Sequence, residues 1–319
     1  MRAIVPTPSG PTLIANAPEP ELRPGWALIR PLLIGLDPFD AQRKRSDGPA
    51  LGHRFVGRVE RLGEGVPDQL EGARVVGTPD VSCGDCDLCT RGLRDHCRNM
   101  RTLGVGLGGC LADLFALPAS NLRLVPKHVS DEAACLTLLA ATAAHAAHLL
   151  RMERMQYVTV IGDTALGLVA GRTLTLQNAS VRVLGSGPGR AELCEKWGVR
   201  HRLASEVGRR GDQDAVLEAS GKPEGLELAL GLVRPRGAVA LLEPTAEYGA
   251  GVSLASVVSG GVRLIGARGF AIDDALELVS TGRIDADGLI MSHPLPLERV
   301  PAALDEVESA GSIGFVVRP

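Results

Sequence analysis

Four cysteines, Cys83, Cys86, Cys89 and Cys97, stand at the spacing C-x2-C-x2-C-x7-C. Such short loops let one small lobe wrap a tetrahedral ion and offer it four thiolates. They are four of the seven cysteines in the chain. Two disulfides across loops this short are geometrically poor, and nothing in the composition points to secretion. Four sulfur ligands close a zinc ion's coordination sphere. The expectation is therefore one structural zinc that shapes a loop and leaves no position open for chemistry.

The chain has 319 residues, room for two domains with separate cores. Hydrophobic residues make up 45% of it, which supports a well-buried globular protein. The net charge of −3 argues against a nucleic-acid or anionic-membrane partner. The basic residues are scattered arginines, with only Lys44, Lys127, Lys196 and Lys222 as lysines. The amino terminus, Met1 to Gly10, has no apolar run of signal-peptide length, and no window reaches the about eighteen apolar residues of a membrane span. The nearest, Ala133 to Leu150, is interrupted by Thr137, Thr142, His145 and His148 and reads as a buried helix. A cytoplasmic location follows as an expectation, since thiolates stay reduced there.

Residues 1 to about 125 read as short strands punctuated by Gly and Pro, at Ala27 to Leu33, Phe55 to Arg61, Ala73 to Gly77 and Leu111 to Leu117. From Asp131 a long apolar helix is expected, with Ser130 as its N-cap. Strands then alternate with helices: Tyr157 to Ile161, Val181 to Leu184, Ala215 to Glu218, Ala238 to Leu242 and Arg263 to Gly266 are the strands. Apolar strands alternating with helices mean a parallel sheet covered on both faces. The tail holds helices at Ala271 to Thr281 and Val300 to Ala310 and a last strand from Gly314 to Val317.

Within this alternation, Val158 to Gly167 is a strand, a turn and a helix start, placed where a dinucleotide fingerprint G-x-G-x-x-G belongs. Gly162 permits the tight turn and Gly167 close helix–strand packing, with Leu166 beside it at the helix start. The middle glycine is replaced by Thr164, whose Cβ crowds a phosphate while its hydroxyl offers it a donor. An acid is expected about twenty residues further on to hold an adenosine ribose. The residues there, Gly185 to Arg190, contain none. Ser186 and Arg190 then favour NADP modestly over NAD, unless Arg190 merely opens the next helix.

With a cysteine lobe preceding this unit, the chain resembles the zinc-type alcohol dehydrogenase-like branch of the medium-chain dehydrogenase/reductase family. The resemblance rests on Gly35 to Asp40, Gly52-His53, Val59 to Val66, the four cysteines, Gly162 to Gly167, Leu217 to Gly221 and Leu232 to Gly237. It implies an α/β chain with a GroES-like, mostly-β domain at 1–125, a Rossmann domain at 126–268 and a return to the first domain at 269–319. It also implies hydride transfer in the cleft between the domains, and a homodimer or homotetramer.

The family's catalytic metal is another matter. Its cysteine ligand falls on Asp37, its histidine on His53 and its third ligand on Leu138. The glutamate beside that histidine falls on Arg54, and the hydroxyl of the proton relay on Phe39. Leucine cannot ligate, and a guanidinium repels a divalent cation by several kcal/mol even at an effective dielectric of ~20. No catalytic zinc is expected. Either Arg54 pairs with Asp37 in place of the metal and polarises a substrate carbonyl, with His53 as proton donor, or the two form an inert ion pair. The first makes the chain an NAD(P)-dependent oxidoreductase of a small carbonyl/alcohol pair. The second makes it a catalytically inactive scaffold with a binding or assembly role.

Overall fold

The computed structural model describes residues 1–36, 38–43, 48–151, 157–177, 180–243, 252–290, 293–310 and 316–319. Two compact units divide the chain, one of Met1–Leu138 with Leu276–Pro319 and one of Leu139–Ala275.

The first unit opens on a hairpin of β1 (Ala3–Val5) and β2 (Thr12–Ile14). Its centre is β3 (Trp26–Gly35), long and apolar because both faces are covered. A short helix, α1 (Pro38–Arg43), leads toward β4 (Arg54–Leu62), which runs antiparallel to β3. Next come β5 (Arg74–Gly77) and β6 (Asp80–Val81). The cysteine lobe follows with α2 (Asp87–Thr90), and β7 (Arg101–Thr102) closes it by pairing with β6. β8 (Phe115–Pro118) pairs with β3, and β9 (Leu122–Leu124) with β5. The expected strand at Leu111 to Leu117 starts only at Phe115. Leu111 instead bonds singly, its N–H to Leu51 O and its carbonyl to the N–H of Ile4. With few aromatics available, the core is aliphatic apart from the edge-on pair Phe55–Phe115, 4.6 Å between centroids.

The long helix expected from Asp131 is broken at Leu136 into α3 (Asp131–Cys135) and α4 (Thr137–Leu150). Ser130 caps α3 as expected, its hydroxyl accepting from Ala133 N at 3.1 Å. The second unit then builds one parallel sheet from β10 (Tyr157–Ile161), α5 (Ala165–Thr175), β11 (Ser180–Gly185), α6 (Ala191–Lys196) and β12 (Arg200–Leu203). It continues through β13 (Gln213–Glu218), α7 (Pro223–Leu232), β14 (Val233–Leu241), α8 (Ala255–Gly260) and β15 (Arg263–Gly266). The strand order is β12-β11-β10-β13-β14-β15, with every pairing parallel. That is the doubly wound Rossmann order, reversing between β10 and β13. After α9 (Ile272–Ser280) and α10 (Val300–Ala310), β16 (Val316–Val317) returns to the first unit and pairs with β3. The fold is α/β, a GroES-like unit with a Rossmann unit. No helix among the described residues is long and apolar enough to cross a membrane.

Candidate functional site

Three groups of sequence-selected residues take up distinct places. The four cysteines converge. Their sulfurs all lie within 4.8 Å of one another. Cys97 Sγ is 3.4 Å from Cys83 Sγ and 4.0 Å from Cys86 Sγ, and Cys83 Sγ is 4.0 Å from Cys89 Sγ. Tetrahedral zinc at a Zn–S distance of ~2.3 Å needs sulfurs about 3.8 Å apart, so the donor set fits that ion. The backbone prepares the thiolates. The N–H of Cys83 donates to Cys97 Sγ at 3.2 Å and lowers that thiol's pKa. Backbone N–H groups, that of Cys89 first, bring the Cys86 thiol down to about 6. The neighbouring Asp85 carboxylate drives Cys83 the other way, to about 11, so its proton must be displaced by a metal. A fork from Arg98 to both oxygens of Asp87 links the residue after Cys97 to the start of α2.

The second group surrounds His53. Gly52 has a φ of +95°, and a Cβ there would stand 2.6 Å from Leu111 N, so only glycine brings the chain into β4 along this path. Asp40, buried on α1, accepts from Gly52 N at 3.2 Å and faces His53 Nδ1 at 3.2 Å. A carboxylate only accepts, so Nδ1 carries the proton of this bond. Phe39, at the position of the family's relay hydroxyl, stands edge-on to the imidazole, 5.1 Å between centroids.

Arg54 opens β4 directly after His53. Its side chain runs across the sheet onto Gly35, its partner on β3, and is only 1% exposed. A Cβ on Gly35 would lie 2.3 Å from the guanidinium carbon. Nη2 donates to Leu36 O at 2.9 Å, while Nε and Nη1 have no hydrogen-bond partner among the described residues. Buried and bonded to Leu36 O, the guanidinium holds the turn leading into α1. Asp37, the proposed partner of Arg54, lies outside the described residues.

The third group is the fingerprint turn. Gly162 has a φ of +101°, and a Cβ on it would meet Ser220 N at 2.9 Å. A Cβ on Gly167 would stand 1.9 Å from Gly162 O. Both glycines are thus demanded by close backbone approach, as a nucleotide cradle requires. Thr164 does not offer its hydroxyl to a phosphate. It caps α5, accepting from Gly167 N at 3.2 Å and donating to Ala219 O at 3.3 Å. Leu166 is buried in the first turn of α5. The remaining first-turn N–H groups and the positive end of α5 keep the site suited to a pyrophosphate. Glu218 locks the facing turn, accepting from Ser220 N at 2.8 Å and Gly221 N at 3.1 Å. Ser186 is exposed in the turn after β11, and Arg190 is the N-cap residue of α6.

Comparison with known proteins agrees with this architecture. Residues 23–127 match the alcohol dehydrogenase GroES-like domain. The L-threonine 3-dehydrogenase of Streptomyces avermitilis is 31% identical over 270 residues, 78% of this chain and 79% of that protein. The chain belongs to the medium-chain dehydrogenase/reductase family, in its zinc-type alcohol dehydrogenase-like branch. The sorbitol dehydrogenase of Halalkalibacterium halodurans is 25% identical across 100% of this chain and 99% of its own. The structure of alcohol dehydrogenase TADH from Thermus sp. ATN1 superposes with a TM-score of 0.85 at 28% identity, over 100% of this chain and 99% of the other. These relatives make the chain an oxidoreductase of alcohol dehydrogenase type.

Two residues near the fingerprint turn carry no sequence signal of a site. Asp163 is a variable position of the glycine pattern, and His201 sits on β12, a strand too short and too polar (Arg-His-Arg-Leu) to be marked by apolar pattern.

Proposed function

We propose that this member of the family is a nicotinamide-dinucleotide-dependent oxidoreductase of a small alcohol/carbonyl pair, with one structural zinc and no catalytic zinc. The observation that carries it is Arg54, a permanent cation buried one residue from His53. A divalent ion at His53 would have to be held against that charge. Position 138, where the family's third ligand falls, carries a buried leucine with no ligand atom. Among the described residues, only the four-cysteine lobe gathers three or more side chains able to share a metal. Zinc there would be held by Cys83, Cys86, Cys89 and Cys97 and would stiffen the loop between β6 and β7.

The hydride is supplied or taken by the dinucleotide when bound, cradled by Gly162, Gly167 and the start of α5. His53 exchanges the proton of the substrate oxygen through Nε2. Asp40 keeps the ring in the tautomer and orientation that this needs. The chain also self-associates in this reading, through the edge of the Rossmann sheet. β15 is the edge strand among the described residues, with Leu264 on it and Val258, 84% exposed, on the α8 that precedes it. A monomer mass by light scattering would exclude this.

The rival is a scaffold that has lost its chemistry, and the Thr164 cap favours it because it takes up the Gly167 N–H. Thermal unfolding with NADH and with NADPH separates the two. A hundredfold excess over the dissociation constant stabilises by ~2.7 kcal/mol. No shift with either nucleotide establishes the scaffold. His53→Ala then tests the chemistry, with kcat expected to fall by roughly 10²–10⁴ at unchanged nucleotide affinity. Undiminished turnover in that variant removes His53 from the mechanism.

A further inference from the structure

The sequence offers no acid at the end of β11, where a carboxylate would hold an adenosine ribose. The last residue of that strand, Gly185, has no side chain, and the space in front of it is filled from elsewhere. A Cβ built on Gly185 would lie 2.1 Å from Asp163 Oδ2 and 2.6 Å from His201 Nε2. Asp163 follows Gly162 in the fingerprint turn, so the turn itself folds a carboxylate onto the end of the second strand. The imidazole of His201 on β12 backs it. That side chain is 5% exposed, and its Nε2 lies 3.6 Å from Asp163 Oδ2. Nε2 makes no hydrogen bond among the described residues. The Asp163 side chain keeps 18% of its surface open. A carboxylate at this place accepts hydrogen bonds from the two hydroxyls of a ribose diol and repels a phosphate on the same sugar.

We propose that Asp163, carried by the fingerprint turn into the place left open at Gly185, is the group that reads the adenosine ribose, so that the chain takes NAD in preference to NADP. The inference rests on the dinucleotide-dependent reading above and reverses the preference drawn from Ser186 and Arg190. Arg190 is within electrostatic reach of Asp163. Any 2′-phosphate it attracted would have to share that space with the carboxylate. Asp163 thus overrides a cation that, left alone, suits NADP.

The test is the pair of dissociation constants for NADH and NADPH, from cofactor fluorescence on the full chain. Wild type is expected to bind NADH about tenfold or more tightly than NADPH. Asp163→Asn is expected to weaken NADH, strengthen NADPH and shift the ratio by about tenfold or more. Adding Arg190→Ala to it is expected to remove the NADPH gain, because the cation then freed is gone. A wild type that prefers NADPH overturns the inference and leaves the dinucleotide reading standing. So does an Asp163→Asn protein with native circular dichroism and an unchanged ratio. Binding of neither nucleotide to wild type overturns both.

Discussion

Arg54 and Gly35 form a cross-strand pair in which one residue supplies all the volume and the other none. The guanidinium occupies the position of the absent Cβ, 2.3 Å from where that carbon would stand. Gly35→Ala is therefore expected to destabilise the first unit by about 1–3 kcal/mol, the usual penalty of overpacking. In an Arg54→Ala background the same change should cost less, with a coupling of about 0.5–3 kcal/mol in chemical denaturation. Additive effects would show that Arg54 does not lie on β3. At this scale His53 was legible, because a histidine after glycine is a motif position. The side on which Arg54 would pack was not. That depends on strand register and on the glycine opposite, neither of which is contained in the local run of residues. The same holds for Asp163, whose meaning comes from a glycine on the next strand.

The helix that carries the fingerprint illustrates how one substitution changes the use of an element. The G-x-G-x-x-G pattern places its second glycine where backbone meets pyrophosphate. Here Thr164 stands there and closes the N-terminus of α5 through its own hydroxyl. Thr164→Ala should lower stability by about 0.5–2 kcal/mol, and Thr164→Gly by only a few tenths. Thermal denaturation distinguishes the two, and equal losses would mean the hydroxyl is not capping. The β-α alternation of this unit was readable, because buried parallel strands are continuous apolar runs. β12 departs from that rule with two arginines and a histidine. Leu136 interrupts the long helix by ending α3, where an unbroken apolar pattern gave no sign of a stop. The cysteine lobe was legible in full, since its geometry follows from spacing alone.

Across the whole molecule, the chain keeps the family's two units while treating its two metal positions differently. The lobe between β6 and β7 presents four sulfurs at separations suited to zinc. The position at His53 has an imidazole held by Asp40, a phenyl ring at its side and a buried cation as its sequence neighbour. In the function proposed above, an ion in that lobe would stiffen the loop between β6 and β7 and take no part in the reaction. The Rossmann unit would position the dinucleotide through glycines that cannot tolerate a Cβ. Zinc content per chain by mass spectrometry, on wild type and on His53→Ala, tests this division most directly. One zinc in both proteins, lost from Cys86→Ser, is the expected result. Two zinc ions in wild type, falling to one in His53→Ala, would contradict it.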